Sequence, residues 1–207
     1  MQTFTIKNKN NKETIFKGLY KSDKECIEDA VSQHINLQNS DLRYKNLQCV
    51  NIDTAQLNGA DLRFCNLNNA NISESNLAGV DLRGTSLIGT CLAESNLTNA
   101  LMQDACFGAT DIAYAVLDGA QFSTLSALNL PFTDTKSMQL CAFHSVHGET
   151  YSFSNPPIIL QGLFKECLYI IENKVLIGHN RLPISVPDIA NNRGIILSML
   201  ETKTQKI

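Results

Sequence analysis

The chain contains no tryptophan, and only 7% of its residues are aromatic. Large rings usually fill the volume of a wide core, so their scarcity favours a narrow core built from smaller side chains. No apolar run approaches the roughly 20 residues that a membrane-spanning helix needs, so we expect no membrane partner. The polar start MQTFTIKNKN is not typical of a signal peptide.

Neither sign of charge dominates, because 17 lysines and arginines face 20 aspartates and glutamates for a net charge of −3. A strongly basic composition, which direct nucleic-acid binding usually requires, is absent. The seven cysteines are an odd number without paired spacing. They predict reduced thiols used as small apolar side chains, and therefore a cytoplasmic protein.

From Ile35 to Thr124 the sequence repeats every five residues, through 18 consecutive pentads without a change of register. The middle residue of each pentad is large and apolar, the residue two places earlier is almost always small, and Asn or Asp usually stands between them. We predict that the middle residues form the core, with these as representatives: Leu42, Leu57, Leu62, Leu77, Leu82 and Leu97. Lys45 occupies a small position, so we expect it to reach outward or to disturb its corner.

A period of five fits neither an α-helix nor a simple strand. Five residues of α-helix turn by about 140°, so the apolar residues would spiral around the axis. In a strand the side chains alternate, so successive middle residues would face opposite ways. A chain that turns a corner every five residues keeps them all inside. Four corners then close a square coil, and stacked coils lie about 4.8 Å apart.

A second period, of 20 residues, agrees with coils of four pentads. Asp41-Leu42-Arg43 recurs as Asp61-Leu62-Arg63 and Asp81-Leu82-Arg83, and glycines recur at 59, 79 and 119. Period five therefore predicts the sides of a coil, and period 20 predicts the coils themselves.

The motif of a small residue, Asp or Asn, a large apolar residue and two further residues resembles the pentapeptide-repeat family. The resemblance covers residues 35–124. It implies an all-β fold, a right-handed quadrilateral parallel β-helix. The layout, with a hairpin and helix before the repeats and a short hairpin after them, also resembles repeat proteins carried by bacteriophages and prophages.

The ends depart from the repeat and predict three regions. Residues 1–34 should form a β-hairpin and a capping helix, which Ser22 and Glu25 begin with a capping box and whose buried face carries Cys26, Ile27, Ala30, Val31 and His34. Residues 35–150 should form the β-helix, regular over 35–124 and irregular over 125–150. Pro131 cannot donate to a ladder, and Phe132 and Phe143 would centre distorted pentads. Residues 151–207 should form a small hairpin and helix module.

One cluster could hold a metal. Cys141, His144 and His147 combine thiol and imidazole ligands at the short spacing that zinc sites use. They also fall where the last coil becomes irregular, and Cys141 fits a small inward position. We therefore expect no metal or other cofactor. No phosphate-binding glycine loop, nucleophile–base pair or carboxylate pair is evident, so we expect no enzyme.

The most specific surface feature is the series of Arg43, Arg63 and Arg83, one per coil, with Asp41, Asp61 and Asp81 two residues earlier. Two interpretations remain open. The six charges could neutralise one another on a solvated face. Alternatively, the arginines could bind an acidic partner, because guanidinium groups pair well with carboxylates or phosphates.

These features predict a non-catalytic scaffold that binds a protein of unknown identity. If the phage resemblance holds, that partner is a host protein or another copy in an assembly. Apolar residues over 195–200 favour self-association through the C-terminal module. The alternative comes from family members that resemble B-form DNA and protect type II topoisomerases from quinolones. That function needs a strongly acidic face, and the side opposite the arginines is only modestly acidic, with Glu74, Glu94, Asp53 and Asp111.

Overall fold

Four columns of parallel β-bridges form the frame of the repeat region, with a spacing of 20 residues except at the last bridge, from Val116 to Ser137, which spans 21. The computed structural model describes residues 1–145, 148–160, 168–172, 174–177 and 180–181. The columns begin at Asp41, Asn46, Asn51 and Gln56. Backbone hydrogen bonds join successive coils, for example from Leu42 N–H to the Asp61 carbonyl at 2.9 Å. Because the columns begin five residues apart, each pentad supplies one side of a four-sided coil.

The middle residues of the pentads fill the inside of the coils. From Leu37 to Phe122, every one of them is at most 8% exposed. The six representatives named above are 0 or 1% exposed: Leu42, Leu57, Leu62, Leu77, Leu82 and Leu97. Burying one such side chain is worth about 1.5–3 kcal/mol, so this column is the main source of stability.

Each pentad ends in a residue with positive φ, from Asn39 at 56° to Gly119 at 71°, for 17 pentads in succession. The carbonyl of a middle residue commonly accepts a hydrogen bond from the N–H three residues later, as from Ala60 to Leu57 at 2.9 Å. This is a β-turn whose third residue is left-handed. Asn and Gly tolerate that conformation best, which explains why they recur at these corners.

Small polar residues beside the core have a structural reason. Thr85 Oγ1 donates to the Leu62 carbonyl at 2.8 Å, and Ser95 Oγ donates to the Ile72 carbonyl at 2.7 Å. Each bond joins two coils across 23 residues. A hydroxyl at this position is therefore buried with its partner, which removes most of the cost of burying it.

At the N-terminal end, β1 (Gln2–Asn8) and β2 (Thr14–Tyr20) form an antiparallel hairpin, and α1 (Asp23–Ser32) follows. Ser22 Oγ accepts the Glu25 N–H at 3.2 Å, as the capping box predicts. The prediction that His34 belongs to the buried face of this helix is wrong. His34 has a φ of 57° and lies exposed just beyond the helix, where it ends the last turn.

The hairpin and α1 also satisfy the open edge of the first coil. Strand β3 (Ser40–Asp41) pairs with β1, and Glu28 Oε1 accepts the Asn51 N–H at 2.9 Å. Lys45 forms an ion pair with Asp23 in the first turn of α1. No coil precedes this corner, so the long side chain has room to reach the helix.

The C-terminal end closes through four short strands in one sheet: β4 (Leu101–Met102), β5 (Gln121–Phe122), β6 (Cys141–His144) and β7 (Thr150–Phe153). From β5 to β6 the spacing is 21 residues, since Gln121 pairs with Ala142. Two 3₁₀ helices, Leu125–Asn129 and Phe132–Asp134, occupy the extra length. Strand β7 then runs antiparallel to β6.

Aromatic rings replace leucine in the last layer of the core. Phe122 lies 5.8 Å from Phe132 and 6.4 Å from Phe153, measured between ring centroids. Phe153 comes from β7, so the strand that covers the last coil also supplies its final core residue. Phe132 and Phe143 are 3% and 2% exposed, so both side chains belong to this core, although Phe132 begins a 3₁₀ helix.

The chain divides into two compact units, Met1–Pro156 and Pro157–Ile207. The second contains an antiparallel sheet in the order β11-β10-β9-β8, whose strands are as follows: β8 (Ile158–Leu160), β9 (Leu168–Ile171), β10 (Lys174–Ile177) and β11 (Asn180–Arg181). The predicted final helix and the apolar run at 195–200 lie outside the described residues. No helix in the described part of the chain is long and apolar enough to cross a membrane.

Candidate interaction surface

Three Asp–Arg pairs lie one above another on the side of the coils that begins with Asp41. In each pair the arginine turns back onto the aspartate two residues earlier and binds both carboxylate oxygens through Nε and Nη2. All six N···O distances lie between 2.6 and 2.9 Å. We call this set the ladder surface: Asp41, Arg43, Asp61, Arg63, Asp81 and Arg83.

Arg43 and Arg63 also approach the aspartate of the next coil. Arg43 Nε lies 3.5 Å from Asp61 Oδ2, and Arg63 Nε lies 3.4 Å from Asp81 Oδ2. Above Asp81 the column continues with Leu101, so Arg83 has no further carboxylate. Its side chain is accordingly the most exposed of the three, at 44%.

The carboxylates lie beneath the guanidinium groups. The side chains of Asp61 and Asp81 are only 8% and 12% exposed. They do leave the core on this side, but the arginines fold over them. The outer layer of the ladder surface is therefore cationic, while its inner layer is anionic.

The electrostatics agree with this arrangement. Hydrogen bonds from Arg43 hold the pKa of Asp41 below its ordinary value. Burial alone would raise the pKa of Asp81, but hydrogen bonds from the Arg83 side chain and backbone lower it overall. The same bonds raise the pKa of each arginine. The lowered pKa values keep Asp41 and Asp81 charged beside their arginines. In all three pairs the bidentate contact fixes the orientation of the guanidinium group.

Two exposed aromatic residues adjoin the ladder surface, and the sequence-based interpretation missed them. Tyr44 and Phe64 directly follow Arg43 and Arg63 and are 70% and 53% exposed. Their rings stack with centroids 5.3 Å apart and planes 8° from parallel. The signal was present in the sequence, because Asp-Leu-Arg is followed by an aromatic residue in two coils out of three.

The third coil has Gly84 at this corner, and the absence of a side chain there makes room for the ring of Phe64. A Cβ atom on Gly84 would lie 2.5 Å from Phe64 Cδ1. Tyr44 and Phe64 themselves have φ values of 62° and 58°, which are costly for bulky residues. The stacked pair is therefore held at a strained corner with its rings in contact with solvent.

Of the three candidate metal ligands, Cys141 and His144 do not come together. Cys141 points into the core, where its thiol donates to the Leu117 carbonyl at 3.1 Å and burial raises its pKa to about 12. His144, on the opposite face of β6, contacts Thr150 Oγ1 at 2.9 Å and Gln121 Oε1 at 3.3 Å. His147 lies outside the described residues. Across the ranges that the structure describes, no three His, Cys, Asp or Glu side chains are placed to hold a metal ion.

A cleft of about 480 Å³ opens where the 3₁₀ helix Leu125–Asn129 replaces a regular pentad. Phe107 lines it together with the polar residues Asp111, Ser126 and Asn129. Its lining residues include no histidine, cysteine or lysine. The Ser126 hydroxyl donates to Thr124 Oγ1 at 3.1 Å.

Comparison with known proteins places the repeats in a family. A model described as pentapeptide repeats matches eight copies, over residues 33–71, 55–92 and 65–104. No curated protein matches the chain.

Several solved structures are similar over part of the chain. HetL, a pentapeptide-repeat protein involved in heterocyst differentiation regulation from the cyanobacterium Nostoc sp. strain PCC 7120, is 28% identical over 39% of each chain, with a TM-score of 0.22. Rfr23 from the cyanobacterium Cyanothece 51142 is 23% identical over 42% of this chain and 58% of its own, with a TM-score of 0.25.

A pentapeptide-repeat protein from the Arabidopsis thaliana thylakoid lumen is 25% identical over 37% of this chain and 61% of its own, with a TM-score of 0.21. The chain thus spans less than two thirds of the length of each of these three proteins. Pentapeptide-repeat proteins are in general non-catalytic structural or interaction proteins, and their fold is a right-handed quadrilateral β-helix. Residues 33–104 of this chain are therefore pentapeptide repeats, the repeat that defines this family.

Proposed function

We propose that the protein is a non-catalytic scaffold that binds another protein through the ladder surface. The observation that carries the proposal is the way in which the arginines are held. Each uses Nε and Nη2 to bind its own aspartate side-on. The donors on Nη1 and the second hydrogen of Nη2 then point away from that aspartate. Three guanidinium groups thus present free donors in fixed positions.

Rigidity supports the same proposal. A coil stack positions its outward side chains through backbone hydrogen bonds, so little freedom is lost when a partner binds. Arginine and tyrosine are also the residues that most often dominate binding energy in protein interfaces. The ladder surface with Tyr44 combines both on one side of a rigid rod.

Affinity capture from the native host, followed by mass spectrometry, tests this function. The variant Arg43→Ser, Arg63→Ser, Arg83→Ser should fold but lose the captured partner. A matched control, Glu74→Asn with Glu94→Asn, changes two exposed corners on another side of the coil and should retain it. A partner captured equally by wild type and the ladder variant would exclude the ladder surface as its binding site.

The type II topoisomerase alternative stays a prediction, and the two consecutive acidic corners at Glu74 and Glu94 are its support. Both are exposed and have positive φ values. A supercoiling assay with gyrase tests it, with the Glu74→Asn, Glu94→Asn protein as the comparison. The phage origin, the cytoplasmic location and self-association through the C-terminal module also stay predictions.

A further inference from the structure

The ladder surface has a net charge that a partner can match. Lys12 Nζ lies 3.9 Å from Asp41 Oδ2 and extends the row of three arginines at its N-terminal end. Four cations thus accompany three carboxylates. The cationic side chains are 32–63% exposed, whereas the carboxylates are 8–22% exposed. A molecule that touches this surface therefore meets positive charge first, and carboxylates suit it best.

The stereochemistry of each arginine favours a carboxylate over a simple counter-ion. A guanidinium group has five N–H donors in one plane. Two are committed to the aspartate at its side, which leaves the fork formed by Nη1 and Nη2 at its end. A second carboxylate can bind this end fork through two parallel hydrogen bonds. Because the aspartate already fixes the plane of the guanidinium group, the incoming carboxylate has a defined direction of approach.

The spacing of the forks distinguishes between possible partners. Successive coils lie about 4.8 Å apart, so Arg43 and Arg83 are separated by about 9.6 Å along the axis. On an α-helix, carboxylates at positions i, i+4 and i+7 span about 10.5 Å. On a strand, three carboxylates on one face span about 13 Å. A helix laid along the coil axis therefore matches the three forks within about 1 Å, which arginine side chains can accommodate.

The stacked aromatic pair supplies the second half of such a site. Tyr44 and Phe64 are exposed beside the same arginines, and their rings form one apolar strip that runs from coil to coil. A helix whose carboxylates meet the arginines presents the neighbouring stripe of side chains to this strip. Leucine or methionine on that stripe would cover the rings, as apolar anchors do when helices bind protein surfaces.

We propose that the ladder surface, with Tyr44 and Phe64, binds an acidic amphipathic α-helix of a partner protein. The proposal rests on the proposed function and specifies the chemistry of the partner. The helix carries carboxylates on three consecutive turns and apolar residues on the adjacent stripe. Asp104, which is exposed at the corner above Gly84, limits the contact on the C-terminal side because it would repel a fourth carboxylate there.

Fluorescence anisotropy with two labelled peptides of about 14 residues, or four helical turns, tests the inference on the full-length protein. In the first peptide, glutamates occupy i, i+4 and i+7 and leucines occupy the neighbouring stripe. The second has the same composition with glutamates at i, i+2 and i+4. We expect the first to bind at least tenfold more tightly. Equal binding of the two peptides, or tighter binding of the second, would overturn the helix proposal.

Two variants separate fork recognition from simple charge attraction. Arg43→Lys, Arg63→Lys, Arg83→Lys keeps the charge but removes the forks, and we expect at least tenfold weaker binding of the first peptide. Tyr44→Ala, Phe64→Ala should also weaken it about tenfold while leaving the salt dependence unchanged. Circular dichroism and cooperative unfolding verify that both variants fold. Unchanged affinity in the lysine variant would contradict the proposal.

The outcomes also separate this inference from the proposed function. If neither peptide binds at low salt but the ladder variant still loses its captured partner, the surface binds protein and the acidic-helix proposal alone fails. If neither peptide binds and the ladder variant retains every captured partner, both fail.

Discussion

The interior coils and the two ends of the stack satisfy their backbone hydrogen bonds differently. Inside, each coil binds its neighbours directly, as when Leu62 N–H donates to the Asp81 carbonyl at 2.8 Å. At the ends, side chains accept the hydrogen bonds of backbone N–H groups. Glu28 accepts the Asn51 N–H at one end, and Ser123 Oγ accepts the Asp104 N–H at the other. A repeat thus specifies its neighbour, whereas each end needs residues of its own.

The largest difference should appear when one core residue is removed from each region. Leu82→Ala deletes a fully buried side chain in the interior, and such changes cost about 2–5 kcal/mol. Because every coil depends on its neighbours, we expect the whole stack to lose that stability. Phe153→Ala removes a ring from the covering strand β7. It should loosen the last coil much more than the first ones.

Hydrogen exchange measured by mass spectrometry distinguishes the two effects. With Leu82→Ala, protection should fall throughout residues 35–144. With Phe153→Ala, it should fall mainly after residue 120, while the early coils keep theirs. A uniform loss of protection in the Phe153 variant would show that the irregular end is as cooperative as the interior, and the distinction between the regions would not hold.

The interior could be predicted from the sequence because its physics is periodic. One apolar residue in five identifies the core, and the 20-residue spacing of Asp41, Asp61 and Asp81 identifies the stacking partners. The distorted last coil was only partly predictable. Pro131 predicts a break in the ladder because it has no N–H. The 21-residue spacing depends on how two 3₁₀ helices pack around Phe132, and no local sequence pattern predicts that packing.

The candidate surface shows the same limit. Its residues follow from the repeat, since any outward position recurs every 20 residues. The side-on binding of Arg63 to Asp61 depends on a rotamer, and the sequence alone left open whether these charges neutralise one another. The aromatic residue after Asp-Leu-Arg recurs in the sequence, but the repeat alone does not show that the rings of Tyr44 and Phe64 stack. The ion pair of Lys45 with Asp23 joins the first coil to the N-terminal helix. No repeat relates these two regions, so the sequence did not predict the pair.

A single hydrogen bond between α1 and the first coil tests how the N-terminal end is stabilised. Glu28→Ala removes the acceptor of the Asn51 N–H and should cost about 0.5–1.5 kcal/mol. Glu28→Gln keeps an oxygen at the same place and is the matched control. Glu28→Gln should cost less than Glu28→Ala, because it loses mainly the partly exposed ion pair with Lys24, which is worth about 0.3–0.5 kcal/mol. Urea denaturation measures both, and equal losses would mean that the bond to Asn51 contributes little.

The smallest expected effect comes from the same substitution, serine to alanine, at equivalent positions in the first coil and in the interior. Ser95 and Ser40 both occupy the small inward position of a pentad and are both fully buried. Ser95 Oγ donates to the Ile72 carbonyl of the preceding coil at 2.7 Å, whereas Ser40 Oγ has no partner, since no coil precedes it. Ser95→Ala should therefore cost about 1 kcal/mol, while Ser40→Ala should be neutral or slightly stabilising, because it removes a buried unpaired hydroxyl. Urea denaturation of both variants measures the two changes in stability. If Ser40→Ala destabilises the protein as much as Ser95→Ala, the hydroxyl contributes by filling space and not through a hydrogen bond to the preceding coil.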